Sequence, residues 1–295
     1  MRLSPFFAGL FLALEGCSDD PPAPFIEDDA GGPPIWEITS DTGEAEGWLF
    51  GTVHALPTGT AWRSTKLEET LQDAELLVVE VASLEDQAEL SRIFTRLALD
   101  DGGEAPLAAR IDPELRVMYR EVLIKSGTSA DQLDPLETWA AALTLAQLAQ
   151  TAETEAGVDK ALLRQFGAQD VIELEGARSQ LSIFDGLPES EQRDLLNAVL
   201  RDANNPDDTL KELVAAWQAG DLDLLSDLST AGLLEDPELY EALLAKRNRD
   251  WAARIEPLLA QQDQPFIAVG AAHMLGDDGL PTLLRERGFT ISRIQ

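Results

Sequence analysis

The chain has 295 residues, and 44% of them are hydrophobic, which is enough for one large domain or two small ones. With 22 Lys and Arg against 54 Asp and Glu, its formal net charge is −32 at pH 7. A surface of this sign repels phosphate groups, so the composition argues against a nucleic-acid-binding protein.

Residues 1–17 are predicted to be a signal peptide of the lipoprotein type. Arg2 supplies a positive start, and Phe6–Leu14 is an apolar core too short to stay in a membrane as a spanning helix. Cys17 is placed as in a lipobox, where the thiol is acylated after cleavage, although Glu15 departs from that motif. We expect an extracytoplasmic protein that touches a bacterial membrane only through a lipid on Cys17. Secretion or a free periplasmic form is the alternative.

A linker is predicted between this signal and the folded part of the chain. Residues 18–34 are rich in Asp, Pro and Gly and poor in core-forming side chains, which favours a disordered tether. Residues 35–295 are expected to form a single domain. With the one cysteine acylated, that domain has no thiol, which excludes a cysteine protease and a zinc–thiolate site.

The domain begins with a predicted strand–helix–strand unit. Strands are indicated at 35–39 and 47–53, and a capping box at Thr65-Lys66-Leu67-Glu68 predicts the start of a helix. The apolar run at 76–81 (LLVVEV) indicates a buried strand. The unit therefore has the size of a parallel crossover.

The middle of the chain is predicted to be mostly helical. Asp134 is expected to cap a helix with Pro135 in its first turn. A short strand is indicated at 171–174, and helices dominate from 188 to about 260.

The end of the chain resembles its beginning. An apolar strand opens at Pro265, a helix is predicted at 280–287, and a last strand is predicted at 289–294. Each end thus has a strand, a Gly-x-x-His motif, a helix and a strand. A diverged duplication and a chance repeat of a common unit both explain this, and both indicate an α/β fold.

Two histidines, His54 and His273, are the only ones in the chain, and each ends a Gly-x-x-His motif after an apolar run. Such a motif places an imidazole just past the C-terminal end of a strand, where α/β proteins build their sites. Either histidine alone would be interpreted as a packed structural residue. Two in matched contexts predict a shared site.

Two acids follow buried strands. Glu80 lies inside LLVVEV, where an ionised carboxylate needs a partner or a metal. The alternatives are that it points outward or pairs with an arginine. Glu175 ends the strand at 171–174 before Gly176, and it could equally face solvent together with Glu173.

Arg247 lies four residues from both Leu243 and Trp251, within an apolar helical stripe. A guanidinium there needs an acidic or carbonyl partner. Internal pairing with an acid such as Glu80 and contact with a substrate are both open. The adjacent Asn248 could contribute an amide to the same surface.

Two histidines and one or two carboxylates suit a divalent first-row metal, with manganese, cobalt and zinc all possible. Such an ion lowers the pKa of a water molecule and polarises a carbonyl, which is hydrolase chemistry. The sequence contains no Gly-x-Ser-x-Gly elbow, no Walker loop, no Gly-x-Gly-x-x-Gly and no His-Glu-x-x-His.

The chain resembles the TraB/GumN family, which is related to the Tiki metalloproteases. The resemblance covers nearly all of the chain after the tether. It rests on six segments: IWEIT…WLFGTVHALP at 35–57, LLVVEV at 76–81, GVDKALLRQFGAQDVIELEG at 157–176, LVAAWQAGDLDLL at 213–225, KRNRDWAARI at 246–255 and PFIAVGAAHMLGDDGLPTLLRERGFTISRI at 265–294.

The resemblance implies an α/β (α+β-like) fold, with a mixed central β-sheet flanked by helices and a large helical section. This is broadly similar to the erythromycin-esterase and haem-binding ChaN-type folds. His54 and His273 match the family's motif histidines, and Glu80 and Glu175 match its acids. Arg247-Asn248 matches the family's Arg-Asn pair.

Three functional hypotheses follow. The first is a metal-dependent hydrolase of the peptidase class, with a peptide or protein as substrate. Its predicted metal ligands are His54, His273, Glu80 and Glu175, and its predicted catalytic residues are Glu80, Arg247 and Asn248. The second is a non-catalytic lipoprotein whose cleft binds haem, a metal or a short peptide. The third is a surface or assembly protein with a vestigial site.

Overall fold

A computed structural model of the chain describes residues 23–26, 31–40, 43–84, 86–99, 102–103, 105–149, 154–167, 170–203, 206–230, 232–261 and 264–295. The predicted signal peptide with Cys17 lies outside these residues. In the part of the chain that is described, no helix is both long enough and apolar enough to cross a membrane.

A six-stranded mixed sheet forms the centre of the described fold, in the order β6-β4-β7-β2-β1-β8. Its strands are β1 Ile35–Thr39, β2 Ala45–Thr52, β4 Leu76–Val79, β6 Val171–Glu173, β7 Pro265–Gly270 and β8 Thr290–Arg293. Two short strands, β3 Ala55–Pro57 and β5 Thr154–Ala156, form a separate antiparallel pair. The predicted mixed α/β sheet is confirmed.

The two strands that carry the Gly-x-x-His motifs are parallel neighbours. β2 pairs with β7 so that Thr52 lies opposite Gly270, and β4 pairs in parallel with the other side of β7. Every residue of β7 is buried, which explains its continuous apolar run. Both motifs therefore leave the sheet at the same edge, and this adjacency positions the site.

Helices cover both faces of the sheet, and most of the chain between β4 and β7 is helical. Their bounds are α1 Thr65–Asp73, α2 Gln87–Ala98, α3 Leu107–Arg110, α4 Arg116–Ser126, α5 Ala130–Leu133, α6 Thr138–Ala149, α7 Val158–Gln165, α8 Ala177–Asp185, α9 Glu189–Asp202, α10 Pro206–Ala219, α11 Leu222–Thr230, α12 Pro237–Tyr240, α13 Lys246–Ala260 and α14 Leu280–Glu286. Short 3₁₀ turns lie at Pro113–Leu115, Gly232–Glu235 and Ala271–Met274, and a π-helical segment at Glu241–Ala245 leads directly into α13.

Two predicted helix caps were wrong. Ser64, not Thr65, caps α1, because its backbone is extended and its side chain accepts the N–H of Leu67. Asp134 does not cap the helix that it was predicted to begin. It follows α5, and its Oδ1 accepts the N–H of Leu107 at 2.9 Å, so α6 begins only at Thr138.

Parts of the predicted tether lie on the domain. The N–H of Ile26 donates to the Arg63 carbonyl at 2.8 Å, and the N–H of Trp62 donates to the Pro24 carbonyl at 3.3 Å. Further along, the carbonyl of Pro33 accepts a hydrogen bond from the side chain of Gln295. The described residues of this segment are therefore docked against the body of the protein.

Candidate active site

The side chains predicted as a site meet at one edge of the sheet, beyond the C-terminal ends of its parallel strands. They come from the segments after β2, β4, β6 and β7 and from α13: His54, Glu80, Glu175, His273, Arg247 and Asn248. Four of the six are buried, whereas His54 and Glu175 are partly exposed. The predicted set is thus brought together in full.

The glycine of each Gly-x-x-His motif lets neighbouring residues of the site pack directly against the backbone. A Cβ on Gly51 would lie 3.0 Å from both Cα and Cβ of Ala271, on the neighbouring motif. A Cβ on Gly270 would lie 3.3 Å from Glu80 Oε1 and 3.3 Å from His54 Nε2. The absence of side chains here lets the two motifs and the acid pack against one another.

His54 is held by a buried acid that the sequence did not reveal. Asp159, in the first turn of α7, places Oδ2 2.8 Å from His54 Nδ1 and accepts Thr52 Oγ1 on Oδ1 at 2.8 Å. Burial opposes a charged imidazole, but the Asp159 carboxylate outweighs it and raises the pKa of His54 to about 9. Nδ1 therefore keeps its proton toward Asp159, while Nε2 lies beside Gly270.

His273 is held in the opposite charge state. Burial and the neighbouring Arg247 guanidinium lower its pKa to about 3, so the ring is neutral. Its Nδ1 lies 2.5 Å from Asn248 Oδ1, which can only accept, so Nδ1 carries the proton. The lone pair is then on Nε2, which accepts from Arg247 Nη1 at 3.2 Å.

Arg247 connects the acids of the site. Its Nε and Nη2 donate to the two oxygens of Glu175, each at 2.8 Å, and Nη2 also donates to Glu80 at 2.8 Å. Nη1 donates to the Leu243 carbonyl at 2.9 Å and to His273. These contacts use all five N–H groups of a guanidinium. The sequence left open whether Arg247 pairs with an acid of the protein or contacts a substrate. In the structure it pairs with the acids Glu80 and Glu175.

Glu80 is a buried, ionised carboxylate with three hydrogen-bond partners. Its Oε1 accepts the N–H of Gly270 at 2.7 Å, and its Oε2 accepts Gln180 Nε2 at 3.0 Å together with Arg247. Burial raises the pKa of a carboxyl, but the charges of Arg247 and His54 and the hydrogen bond from Gly270 outweigh it and lower the pKa of Glu80 to about 2.

Glu175 faces the same guanidinium from the other side. Burial raises its pKa above the usual value, although Arg247 opposes this shift. Both of its oxygens already accept from Arg247. This bidentate pair makes Glu175 a partner of the arginine more directly than a ligand for an ion.

Sequence reasoning missed three residues of the site: Thr52, Asp159 and Gln180. Asp159 carried a signal, because it is an acid directly after Gly157-Val158 in a segment that resembles the family. Gly157 itself lies so close to His54 that a Cβ there would be 2.0 Å from the His54 carbonyl oxygen. Gln180 carried no signal, because a glutamine in an amphipathic helix is usually a solvated residue.

A small pocket opens above these groups. It is lined by two kinds of residue: the site residues His54, Glu80, Gln180, Arg247, Gly270 and His273, and the apolar residues Ile183, Phe184, Leu243 and Ala272. The π-helical segment supplies Leu243 and leads into α13, and such segments are frequent at functional sites.

The donors present fit a divalent metal in type and orientation once His54 releases its Nε2 proton, because an imidazolium with a pKa of about 9 has no lone pair for an ion at neutral pH. His54 and His273 each have Nδ1 held by an oxygen, of Asp159 and Asn248, which is the outer arrangement that metal-binding histidines use. Their Nε2 atoms and the carboxylate of Glu80 all lie around Gly270.

The spacing of these donors is wider than a bound ion requires. In the described part of the chain, three carboxylate or imidazole ligand atoms lie within 4.8 Å of one another only at Glu191, Asp194 and Asp236. None of these three lines the pocket. Since Arg247 Nη1 also lies against His273 Nε2, ligation by His54, His273 and Glu80 requires their side chains to draw together.

Comparison with known proteins finds similar sequences and a matching family model. Two similar proteins, each named "Uncharacterized protein YbaP", come from Shigella flexneri and Escherichia coli (strain K12). Each is 28% identical to this chain. The first match covers 82% of this chain and 89% of the relative, and the second covers 80% and 87%. No solved structure matches the chain. The sequence model of the TraB/PrgY/gumN family matches residues 34–293, and the chain therefore belongs to that family.

Proposed function

We propose that this protein is an extracytoplasmic, metal-dependent hydrolase of the peptidase class, anchored to a membrane by a lipid on Cys17. The metal ligands are His54, His273 and Glu80. One observation carries the proposal: His54 has its Nδ1 fixed by the buried Asp159 and its Nε2 placed beside Glu80 at the mouth of a pocket. Buried groups with strongly shifted pKa values in a cleft are typical of catalytic sites.

When bound, a divalent ion would supply a Lewis acid that polarises the carbonyl of the bond to be cut and lowers the pKa of water. Two imidazoles and one carboxylate suit manganese, cobalt or zinc, and the carboxylate favours the harder manganese ion. Glu175, which was predicted as a fourth ligand, instead holds Arg247 in this proposal.

The protein's own residues have distinct parts in the reaction. Glu80 remains ionised near neutral pH because its pKa is lowered to about 2, which suits a metal ligand and makes it too weak a base to accept a proton. Asp159 and Asn248 hold the two imidazole rings, and Arg247 holds Glu80 and Glu175. We therefore treat Arg247 and Asn248, which were predicted as catalytic, as positioning residues.

A second candidate function, non-catalytic binding of haem, a metal or a short peptide, is favoured by a different observation. The ligand atoms are widely spaced, and Arg247 Nη1 lies 3.2 Å from His273 Nε2, the atom that would bind an ion. With Arg247 against His273 Nε2, the pocket can bind a ligand, but its ligand atoms are not already arranged around a metal ion.

The test is the metal content of residues 18–295, measured by mass spectrometry after mild dialysis, together with cleavage of a peptide library. We expect about one equivalent of a transition metal and measurable cleavage in the unmodified protein, and neither in the His54→Ala/His273→Ala variant. Glu191→Gln/Asp194→Asn is the matched control, because it removes the separate acidic group. Cleavage that survives without metal or in the histidine variant would rule out the proposal, and binding without cleavage would favour the second candidate.

A further inference from the structure

We infer that Gln180 is a positioning residue that makes Glu80 a one-oxygen ligand of the metal, with Oε1 facing the ion and Oε2 bound by the protein. The inference rests on the proposed function, in which Glu80 is a metal ligand. It concerns a side chain of α8 to which neither the Gly-x-x-His motifs nor the family resemblance assigns a role.

The two oxygens of Glu80 have different surroundings. Oε2 accepts from Gln180 Nε2 at 3.0 Å and from Arg247 Nη2 at 2.8 Å. Among the described residues, Oε1 accepts one hydrogen bond, from the N–H of Gly270 at 2.7 Å, and it lies 3.9 Å from Nε2 of His273. Each oxygen of a carboxylate has about two lone pairs, so those of Oε2 are used and one on Oε1 is left. The oxygen that can still bind an ion is therefore the one nearer to His273.

Gln180 is held for this contact by its chemistry and by its backbone. An ionised carboxylate accepts hydrogen bonds and donates none, so the side-chain amide must present its NH₂ group to Glu80. Gln180 is 5% exposed, near the start of α8. Just before this helix, the N–H groups of Glu175 and Gly176 donate to the backbone carbonyl of Glu80 at 3.1 and 3.2 Å. The start of α8 thus binds both the main chain and the side chain of Glu80.

The free space at the site is small. It amounts to about 20 Å³, which holds about one ion or one water molecule. A carboxylate that binds an ion through both oxygens occupies two coordination positions, whereas one oxygen occupies one and leaves more positions open for water and a substrate carbonyl. Arg247 also binds Oε2, but it carries charge and contacts Glu175 as well. Gln180 is neutral, so replacing it tests the orientation of Glu80 without changing the charge of the site.

The experiment compares Gln180→Met with wild type, with cobalt as the probe ion. Methionine is an unbranched side chain of similar length that has no N–H to donate. We expect cobalt affinity, measured by competition with a chelator, to fall about 10- to 100-fold, because Glu80 loses a partner that orients it before the ion binds. X-ray absorption of the cobalt-loaded protein should show one more oxygen ligand, because Oε2 then has a free lone pair.

Gln192→Met is the matched control. Gln192 is also 5% exposed, but it hydrogen-bonds the Trp139 N–H and the Leu187 carbonyl and does not line the pocket. This variant removes two hydrogen bonds, so it should lower the melting temperature at least as much as Gln180→Met while keeping wild-type cobalt affinity and ligands. Gln180→Asn is the second test variant, because its amide is one methylene too short to reach Glu80, and it should change both cobalt measurements in the same way as Gln180→Met.

The outcomes separate the inference from the proposed function. An unchanged set of cobalt ligands in the folded Gln180 variants, or an equal loss of affinity in Gln192→Met, would overturn the inference alone. Absence of cobalt binding in wild type would overturn the proposed function and the inference with it. Cobalt binding that responds to Gln180 as expected, without cleavage of any peptide, would support the inference and overturn only the proposed hydrolase.

Discussion

At the scale of single residues, the two motif histidines have different protonation states despite their matching local sequence. His54 faces an acid and stays charged, with a pKa of about 9, whereas His273 faces an amide oxygen and an arginine and stays neutral, with a pKa of about 3. The difference comes from Asp159, which outweighs burial at His54, and from burial and Arg247 at His273, and both partners lie far from the motifs in sequence. The partner of each ring therefore decides its chemistry.

Asp159→Asn tests the partner of His54. Without the carboxylate, the ring loses the acceptor that fixes its Nδ1 proton and directs Nε2 at the pocket. We expect metal affinity to fall about 10- to 100-fold, as it does when such outer partners are removed elsewhere. The measurement is competition with a chelator, and Asp185→Asn, an exposed acid at the end of α8, serves as the control. Unchanged affinity would show that Asp159 is only structural.

The raised pKa of His54 predicts a pH-dependent contribution to stability in metal-free protein. The folded pKa is about 9 against an ordinary value of 6.5, so the stabilisation is complete below pH 6.5 and disappears as pH rises through 9. The difference in melting temperature between wild type and His54→Gln, measured in EDTA, should be largest near pH 6 and smallest near pH 10. A difference that grows with pH would contradict the pairing with Asp159.

Arg247→Met should be among the most destabilising substitutions in the chain. It leaves the buried Glu80 and the partly exposed Glu175 beside each other without a cation, and breaking a buried ion pair costs about 3–5 kcal/mol. Urea unfolding measures the loss. Adding Glu80→Gln and Glu175→Gln to the variant should recover part of it, because the uncompensated charges are removed. Full stability of Arg247→Met alone would mean that the arginine does not compensate these acids.

At the scale of elements, the sequence predicted the strands and the motifs that follow them, because short local patterns determine both. The apolar runs predicted β2, β4 and β7, and the motifs after them placed His54 and His273 at one sheet edge. The pairing order could not be read in this way, because the neighbours β2 and β7 are more than 200 residues apart. Gln180 was missed for the same reason, since its role exists only after α8 packs against the sheet, and the position of Asp159 after Gly157-Val158 gave a signal but not its partner.

Gly51→Ala tests the contact between the two motif-bearing elements. The added Cβ would lie 3.0 Å from Ala271, so β2 and the 3₁₀ turn after β7 must move apart. We expect a loss of about 1–3 kcal/mol in unfolding free energy, together with weaker metal binding. Gly103→Ala is the control, since no atom lies within 4 Å of its Cβ position. Equal stability of the two variants would show that the sheet absorbs the methyl group without strain.

At the scale of the whole molecule, the N-terminal segment and the charge bear on where the domain sits. Residues 23–26 lie against Trp62 and Arg63, so at most residues 18–22 separate the docked segment from Cys17. Extended chain spans at most about 3.6 Å per residue. If Cys17 is acylated, the docked segment therefore holds the domain close to the bilayer, although its charge of −32 is repelled by anionic lipid heads.

Cys17→Ser tests this arrangement directly. A serine cannot form the thioether of a lipoprotein, so we expect the variant to leave the membrane fraction and to lose the mass of its acyl chains. Stable anchoring takes more than one acyl chain, and a single chain binds a membrane only marginally. Because the variant lacks the chains carried on the thioether, its release should be nearly complete. Fractionation of cells and mass spectrometry of the intact protein measure both effects, with Ser18→Ala as the matched control. If wild type and variant are equally released and equal in mass apart from the substitution, Glu15 has defeated the lipobox, and the domain acts as a free extracytoplasmic protein.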